Sequence, residues 1–173
     1  KTKKEDILRE YLNLIGKVEP YNMVLSNTHW IGPQPVSLEL SNIRDYPDGT
    51  IPTIQMNYSV TVKADGDRFI MYINKDNQCY LINNRWKVLS LGIKSNNLTN
   101  TILDGEYILY NKLGQYSPIY LVYDCYYLNG EDIRGTPLYI NSNDLNTSRM
   151  PLLQNAIKTA DWEYQDEIEP HLE

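Results

Sequence analysis

The chain has 173 residues with 42% hydrophobic and 22% charged side chains, which supports a packed core and excludes general disorder. Its length fits one domain or a large piece of one. The formal net charge of −6 argues against a uniformly basic nucleic-acid binder, although six acids of the last thirteen residues (Asp161, Glu163, Asp166, Glu167, Glu169, Glu173) account for all of it and leave residues 1–160 neutral.

Ile7, Leu8, Tyr11, Leu12 and Ile15 recur at helical spacing and predict an amphipathic helix over 3–15, stopped by Gly16. Residues 20–57 hold Pro and Gly turns, including Gly32-Pro-Gln-Pro35 and Pro47-Asp-Gly49. Strand-like runs follow: Tyr58–Lys63, Arg68–Asn74, Gln78–Asn83, Trp86–Leu91, Thr101–Tyr110 and Ile119–Tyr127. Short turns such as Ala64–Asp67, Lys75–Asn77 and Asn83–Arg85 separate most of them. Links that short serve hairpins, whereas parallel strands need crossovers of about a dozen residues. Pro151–Ala160 predicts a second helix, with Ser148 near its start and Pro151 in its first turn. The acidic tail beyond it reads as a solvated helix face or a linker. The predicted class is α+β, a mainly antiparallel sheet with flanking helices at the two ends of the chain.

Several function classes find no support. No apolar run approaches the ~20 residues of a membrane-spanning helix, so no membrane partner is expected. The opening Lys1-Thr-Lys-Lys-Glu-Asp6 has no signal-peptide stretch and no initiator Met, so a fragment of a longer intracellular protein is expected. Cys79 and Cys125 stand far apart without a CxxC pair, against a disulfide scaffold or a Cys-rich zinc site. Only His29 and His171 occur, against a His-based metal site or triad. No phosphate-loop or dinucleotide glycine pattern is present.

Three stretches carry chemistry. In the first, a predicted strand ends in Lys63, the turn Ala64-Asp65-Gly66 follows, and a second strand opens with Arg68. Period-2 alternation puts Tyr58, Val60 and Val62 on one face and Lys63 on the other. A lysine at a strand end beside Asp65 and Arg68 is placed to be a nucleophile; the same spacing also fits a solvated hairpin turn. In the second, Asp104 and Glu106 share a strand face, an arrangement that holds a ribose or a metal ion, or lies on an exposed strand edge. In the third, Tyr123 and Asp124 interrupt an apolar strand, with Tyr123 either a core aromatic or a stacking platform.

Together and in this order, the stretches resemble the covalent nucleotidyltransferases, the superfamily of mRNA capping guanylyltransferases and ATP-dependent DNA and RNA ligases. The superfamily's nucleophile motif Lys-x-Asp-Gly-x-Arg matches Lys63-Ala64-Asp65-Gly66-Asp67-Arg68 at every fixed position. Its Asp-Gly-Glu motif matches Asp104-Gly105-Glu106, and its apolar strand with an aromatic-Asp pair matches Tyr120-Leu-Val-Tyr123-Asp124. Ile31-Gly-Pro-Gln-Pro-Val-Ser-Leu38 resembles a Gln-Pro-Val-Ser segment of capping enzymes that ligases do not generally share. The resemblance runs from about Trp30 to Leu128, with weaker likeness to about Ile157, where Arg149 resembles a helix-start arginine.

The resemblance implies the nucleotidyltransferase catalytic fold and a lysyl-nucleotide mechanism. Lys63 is expected to attack the α-phosphate of GTP, expel pyrophosphate, and pass GMP to a 5′-diphosphate RNA end. An attacking amine must be neutral, and about one free lysine in two thousand is neutral near pH 7, so nearby positive charge and desolvation assist. Among the implied nucleotide-binding residues, Ala64 and Asp65 flank the nucleophile, with Asp65 orienting. Arg68 binds the ribose and helps place the phosphate, Glu106 holds the ribose hydroxyls, and Tyr123 stacks on guanine. Gly66 keeps the turn tight near the nucleotide. A divalent ion, Mg or Mn, is the implied cofactor, with ligands unknown.

Two departures qualify the resemblance. Where capping enzymes carry an Asp-Arg pair after the hairpin strand, whose Arg can reach the phosphates, this chain has Asn83-Asn84, and Arg85, the implied nucleotide-binding counterpart, stands one residue later. A one-residue shift moves a side chain to the other face. A further carboxylate motif, a Lys-x-Lys motif and an OB-fold domain are also not visible. Residues 1–173 are therefore expected to be the N-terminal portion of a guanylyltransferase domain, inactive alone. RNA triphosphatase and methyltransferase domains of the same parent chain are candidate partners. A bias toward Asn, Ile and Tyr, with the segment around Gly32, points to a large DNA virus. The expected location is then a host cytoplasmic factory or the virion, or the nucleus for a cellular protein. The alternatives are the adenylating domain of an ATP-dependent ligase and a non-catalytic nucleotidyltransferase-like scaffold.

Overall fold

The computed structural model of the chain describes residues 2–44, 53–55, 58–140 and 147–165. The predicted Pro47-Asp-Gly49 turn and residues 166–173 of the acidic tail lie outside the described residues. The chain divides into a main unit, Lys1–Ile31 with Ala64–Glu173, and a smaller one, Gly32–Lys63.

In the main unit, helix α1 (Lys3–Leu14) starts at a capping box. The Thr2 hydroxyl accepts the Glu5 N–H at 3.2 Å, and the Glu5 carboxylate accepts the Thr2 N–H at 3.1 Å. Gly16, at φ +69°, takes the left-handed position that ends the helix, and the Lys17 N–H bonds the Leu12 carbonyl at 2.9 Å. The apolar stripe of α1 is buried, as its spacing predicts.

In the smaller unit, the short helix α2 (Leu40–Ile43) is capped by the Asn42 side chain, which accepts the Glu39 N–H at 2.9 Å. The predicted strand Tyr58–Lys63 is not assigned as a strand in the structure. Its alternating Tyr58, Val60 and Val62 are exposed. Alternation marks a chain able to form a strand; a ladder partner makes it one. The expected Ala64–Asp67 hairpin turn is therefore not a hairpin.

The sheet of the main unit is built from β1 (Asp67–Ile73), β2 (Gln78–Ile82), β3 (Val88–Ser95), β4 (Thr101–Tyr110), β5 (Tyr116–Leu128), β6 (Glu131–Asp132) and β7 (Trp162–Tyr164). Their order is β6-β5-β4-β1-β2-β3-β7, and every pairing is antiparallel. Helix α3 (Arg149–Thr159) precedes β7. The α+β reading holds, with boundary differences that are largest at β3, which runs on to Ser95 past the predicted end at Leu91, and at the start of β5. Trp86 belongs to the β2–β3 turn, and β5 starts at Tyr116, ahead of Pro118.

Alternation along β1 divides the core. Ile70 and Tyr72 join Tyr80, Ile82, Ile102 and Tyr126 against α1 and Trp30. Phe69, Met71 and Ile73 join Leu81, Leu103 and Cys125 with Leu153 and Ala156 of α3. Burial of each such large side chain contributes ~1.5–3 kcal/mol.

The start of the tail corrects the sequence reading. Trp162–Tyr164 pairs with β3 as an edge strand, and Lys94 Nζ meets the Glu163 carboxylate at 3.3 Å. The open edge of β3, more than sixty residues away in sequence, makes this strand.

Candidate functional site

The start of β1 and the β2–β3 turn enclose a cleft of about 480 Å³. Trp30, Asp67, Arg68 and Phe69 line it, with Asn83, Asn84, Arg85 and Lys87 of the turn. That volume suits a nucleotide-sized ligand. Arg85 thus lies in the same cleft as Arg68 despite the one-residue shift. The turn explains this. The Asn83 side chain accepts the N–H groups of Arg85 (3.0 Å) and Lys87 (2.9 Å), and Trp86 adopts φ +63°. Neither Arg85 nor Lys87 makes an ion pair among the described residues. Two exposed cations that make no ion pair among the described residues, against the single carboxylate of Asp67 in the lining, make the cleft receptive to an anion.

Asp104 organises the other end of Arg68. Its carboxylate is fully buried and accepts from Arg68 Nε at 3.1 Å and Nη2 at 2.5 Å. Tyr123 donates its hydroxyl to the same carboxylate at 3.3 Å, and Tyr126 does likewise. A buried charge requires such partners. Hydrogen bonding to Asp104 raises the Arg68 pKa further above its ordinary value. Burial, reinforced by Asp104, pushes the Tyr123 phenol up to about 12 and the Tyr126 phenol higher still. Both hydroxyls therefore remain donors at neutral pH.

The two carboxylates of Asp104-Gly105-Glu106 play different parts. Asp104 is not open to a ribose or a metal, because it is consumed by Arg68 and the two tyrosines. Glu106 is half-buried and stands directly opposite Arg68 in the β1–β4 ladder. The aromatic-Asp pair of β5 is also split. Tyr123 serves Asp104, whereas Asp124 binds Arg149 at 2.8 and 3.1 Å and so ties α3 to the sheet.

Lys63 is exposed and is the last residue of the smaller unit. Ala64 is half-buried and Asp65 exposed. Asp65 lines a second cleft of about 410 Å³ with Gly66, Asp67 and Tyr107–Tyr110. Gly66 is crowded by protein: a Cβ there would lie 2.8 Å from the Tyr107 carbonyl oxygen and 2.8 Å from Ile108 Cγ1. The close approach of β4 is thus a sufficient reason for glycine.

Lys87, Trp30 and Tyr126 are additions to the residues singled out from sequence. Lys87 had a visible signal, a second cation two residues after Arg85. Trp30 reaches the site through packing, and Tyr126 through its hydrogen bond to Asp104. Among the described residues, no group of three or more His, Cys, Asp or Glu side chains gathers to hold a metal ion. The described side chains therefore do not form a protein-built cage for the implied divalent ion.

Residues 3–170 match the family model of the mRNA capping enzyme catalytic domain. Similar proteins include an mRNA-capping enzyme of Danio rerio, 36% identical over 110 residues, covering 59% of this chain and 17% of that protein. An mRNA-capping enzyme of Caenorhabditis elegans is 30% identical over 149 residues, covering 79% of this chain and 22% of that protein. A probable mRNA-capping enzyme of Acanthamoeba polyphaga mimivirus is 26% identical over 158 residues, covering 91% of this chain and 12% of that protein. The chain spans less than a quarter of the length of each of these relatives.

Proposed function

The chain belongs to the family of mRNA capping enzyme catalytic domains, and from that premise we propose that it carries the nucleotide-binding part of an mRNA guanylyltransferase. The observation that carries the proposal is the cleft lined by Arg68, Arg85 and Lys87. The strand that opens this cleft is preceded in sequence by Lys63-Ala64-Asp65-Gly66.

In this reading the neutral amine of Lys63 attacks the α-phosphorus of GTP. A P–N bond forms, the bond to the bridging oxygen breaks, pyrophosphate leaves, and the amine proton passes to solvent. A terminal oxygen of a 5′-diphosphate RNA end then attacks the same phosphorus. The P–N bond breaks and the lysine nitrogen takes up a proton. Most of the catalysis is positioning and neutralisation of phosphate charge. Arg68, Arg85 and Lys87 supply that charge. Asp65 orients the nucleophile, with Ala64 beside it. Glu106 takes the ribose hydroxyls, and Tyr123 offers its ring to guanine, a contact worth ~1–3 kcal/mol per base.

The test is incubation of the full-length protein with GTP labelled at the α-phosphate, followed by denaturing electrophoresis. Label retained with wild type and lost in Lys63→Ala is the expected result. Label from ATP alone assigns a ligase-type enzyme, and no label from either nucleotide assigns a non-catalytic module; both outcomes refute the proposal.

A further inference from the structure

The β2–β3 turn breaks a local rule. The Trp86 N–H bonds the Asn83 carbonyl at 3.0 Å, and the Asn83 N–H bonds the Lys87 carbonyl at 3.1 Å. These bonds close a three-residue hairpin loop whose last position is left-handed, a place for glycine or asparagine. Here that position holds tryptophan at φ +63°, a conformation that is costly for a bulky side chain. The cost is met by packing. The Trp86 ring lies 5.9 Å from that of Trp30 at an interplanar angle of 76°, and 6.2 Å from that of Tyr11. Tyr11 is itself fixed, donating its hydroxyl to the His29 carbonyl at 2.9 Å and accepting the Ile31 N–H at 3.0 Å. Arg85 and Lys87, the residues on either side of Trp86, both line the cleft without ion-pair partners among the described residues. Trp30 lines it too, and its buried indole N–H has no acceptor among the described residues.

We propose that Trp86 is a positioning residue: held against Tyr11 and Trp30, it sets the turn so that Arg85 and Lys87 act as a pair on the phosphates of the nucleotide. This deepens the guanylyltransferase reading and rests on it for the identity of the ligand. The strain is stored in the turn, and helix α1 becomes part of the anion site through Tyr11.

The probe is inorganic pyrophosphate, titrated calorimetrically into the full-length protein. Wild type binds. Arg85→Gln with Lys87→Gln weakens binding at least ~10-fold, since charge-assisted contacts are lost. Trp86→Gly keeps the left-handed turn but removes the anchor, and weakens binding by a similar ~10-fold; Trp86→Phe restores most of it. In the doubly neutralised background, Trp86→Gly changes the residual affinity less than ~2-fold, because its effect acts through those two cations. Trp86→Asn, which tolerates the same φ, carries the same expectation should the glycine variant not fold. The inference is overturned if wild type does not bind pyrophosphate, if the anchorless variants bind like wild type, or if they lose as much in the neutralised background. A KM rise confined to diphosphate-ended RNA, with GTP labelling unaffected, also overturns it. Pyrophosphate binding involves no covalent step, so failure here is separate from failure of the lysyl-nucleotide reading.

Discussion

Asp104→Ala removes the acceptor on which one edge of the cleft depends. Four hydrogen bonds end on this fully buried carboxylate, two from Arg68 and one each from Tyr123 and Tyr126. Breaking a buried ion pair by deleting one partner costs ~3–5 kcal/mol. The Arg68 side chain is 26% exposed, so water recovers part of that, and the ion-pair share falls to ~2–3 kcal/mol. The two phenols that lose their acceptor add ~1 kcal/mol each. The expected loss is ~4–5 kcal/mol, a large part of the ~5–15 kcal/mol that holds a domain folded. Asp104→Asn, which keeps the shape and one acceptor, is expected to lose about half as much. Urea unfolding measures both, and a double-mutant cycle with Arg68→Met isolates the pair, with a coupling of at least ~1.5 kcal/mol. A loss below ~1 kcal/mol for Asp104→Ala, or an additive cycle, refutes the view that this carboxylate anchors Arg68.

Gly66→Ala is expected to cost ~1–3 kcal/mol, because the atoms it meets include the Tyr107 carbonyl, while Gly135→Ala, with nothing within 4 Å of the added carbon, stays within ~0.5 kcal/mol. Equal effects at the two sites in thermal melts would contradict the packing described for β4. Stability is expected to fall between about pH 9 and 12. Burial raises the Cys79, Cys125 and Tyr123 pKa values to about 12, so the unfolded chain releases protons there that the folded chain retains. A urea midpoint unchanged from pH 9 to 11 would contradict that. Arg149→Met leaves Asp124 unpaired where both side chains are only 15% exposed; the expected loss is ~2–4 kcal/mol, with α3 amides exchanging first.

Much of the fold was legible because its signals are local. The α1 stripe and the Gly16 stop lie within one short segment and agree with each other. The hairpins β1–β2 and β2–β3 were legible because the short Asn-containing turns Lys75–Asn77 and Asn83–Arg85 interrupt apolar runs. In the second, the Asn83 side chain accepts the N–H groups of Arg85 and Lys87. β7 carries no such signal: three residues in an acidic stretch become a strand only because β3 offers an open edge. Tyr58–Lys63 is the converse, a local alternation that no ladder completes.

The site was legible in residue type and illegible in pairing. Sequence places Asp104 and Glu106 on one face of a strand, which makes them look equivalent. The β1–β4 register sets Arg68 opposite Glu106 and Ile70 opposite Asp104, so the Arg68–Asp104 ion pair is a diagonal contact. A slip of two residues would preserve every buried face and exchange the two acids. Only the register decides which acid is spent on holding Arg68 and which stands across from it. The Trp86 turn was hidden for a related reason: nothing near Asn83-Asn84-Arg85 announces a left-handed residue, because its stability comes from Tyr11, more than seventy positions away. Both features that shape the cleft therefore come from contacts between distant segments, while the charges placed in it come from a single hairpin turn and the first residues of β1.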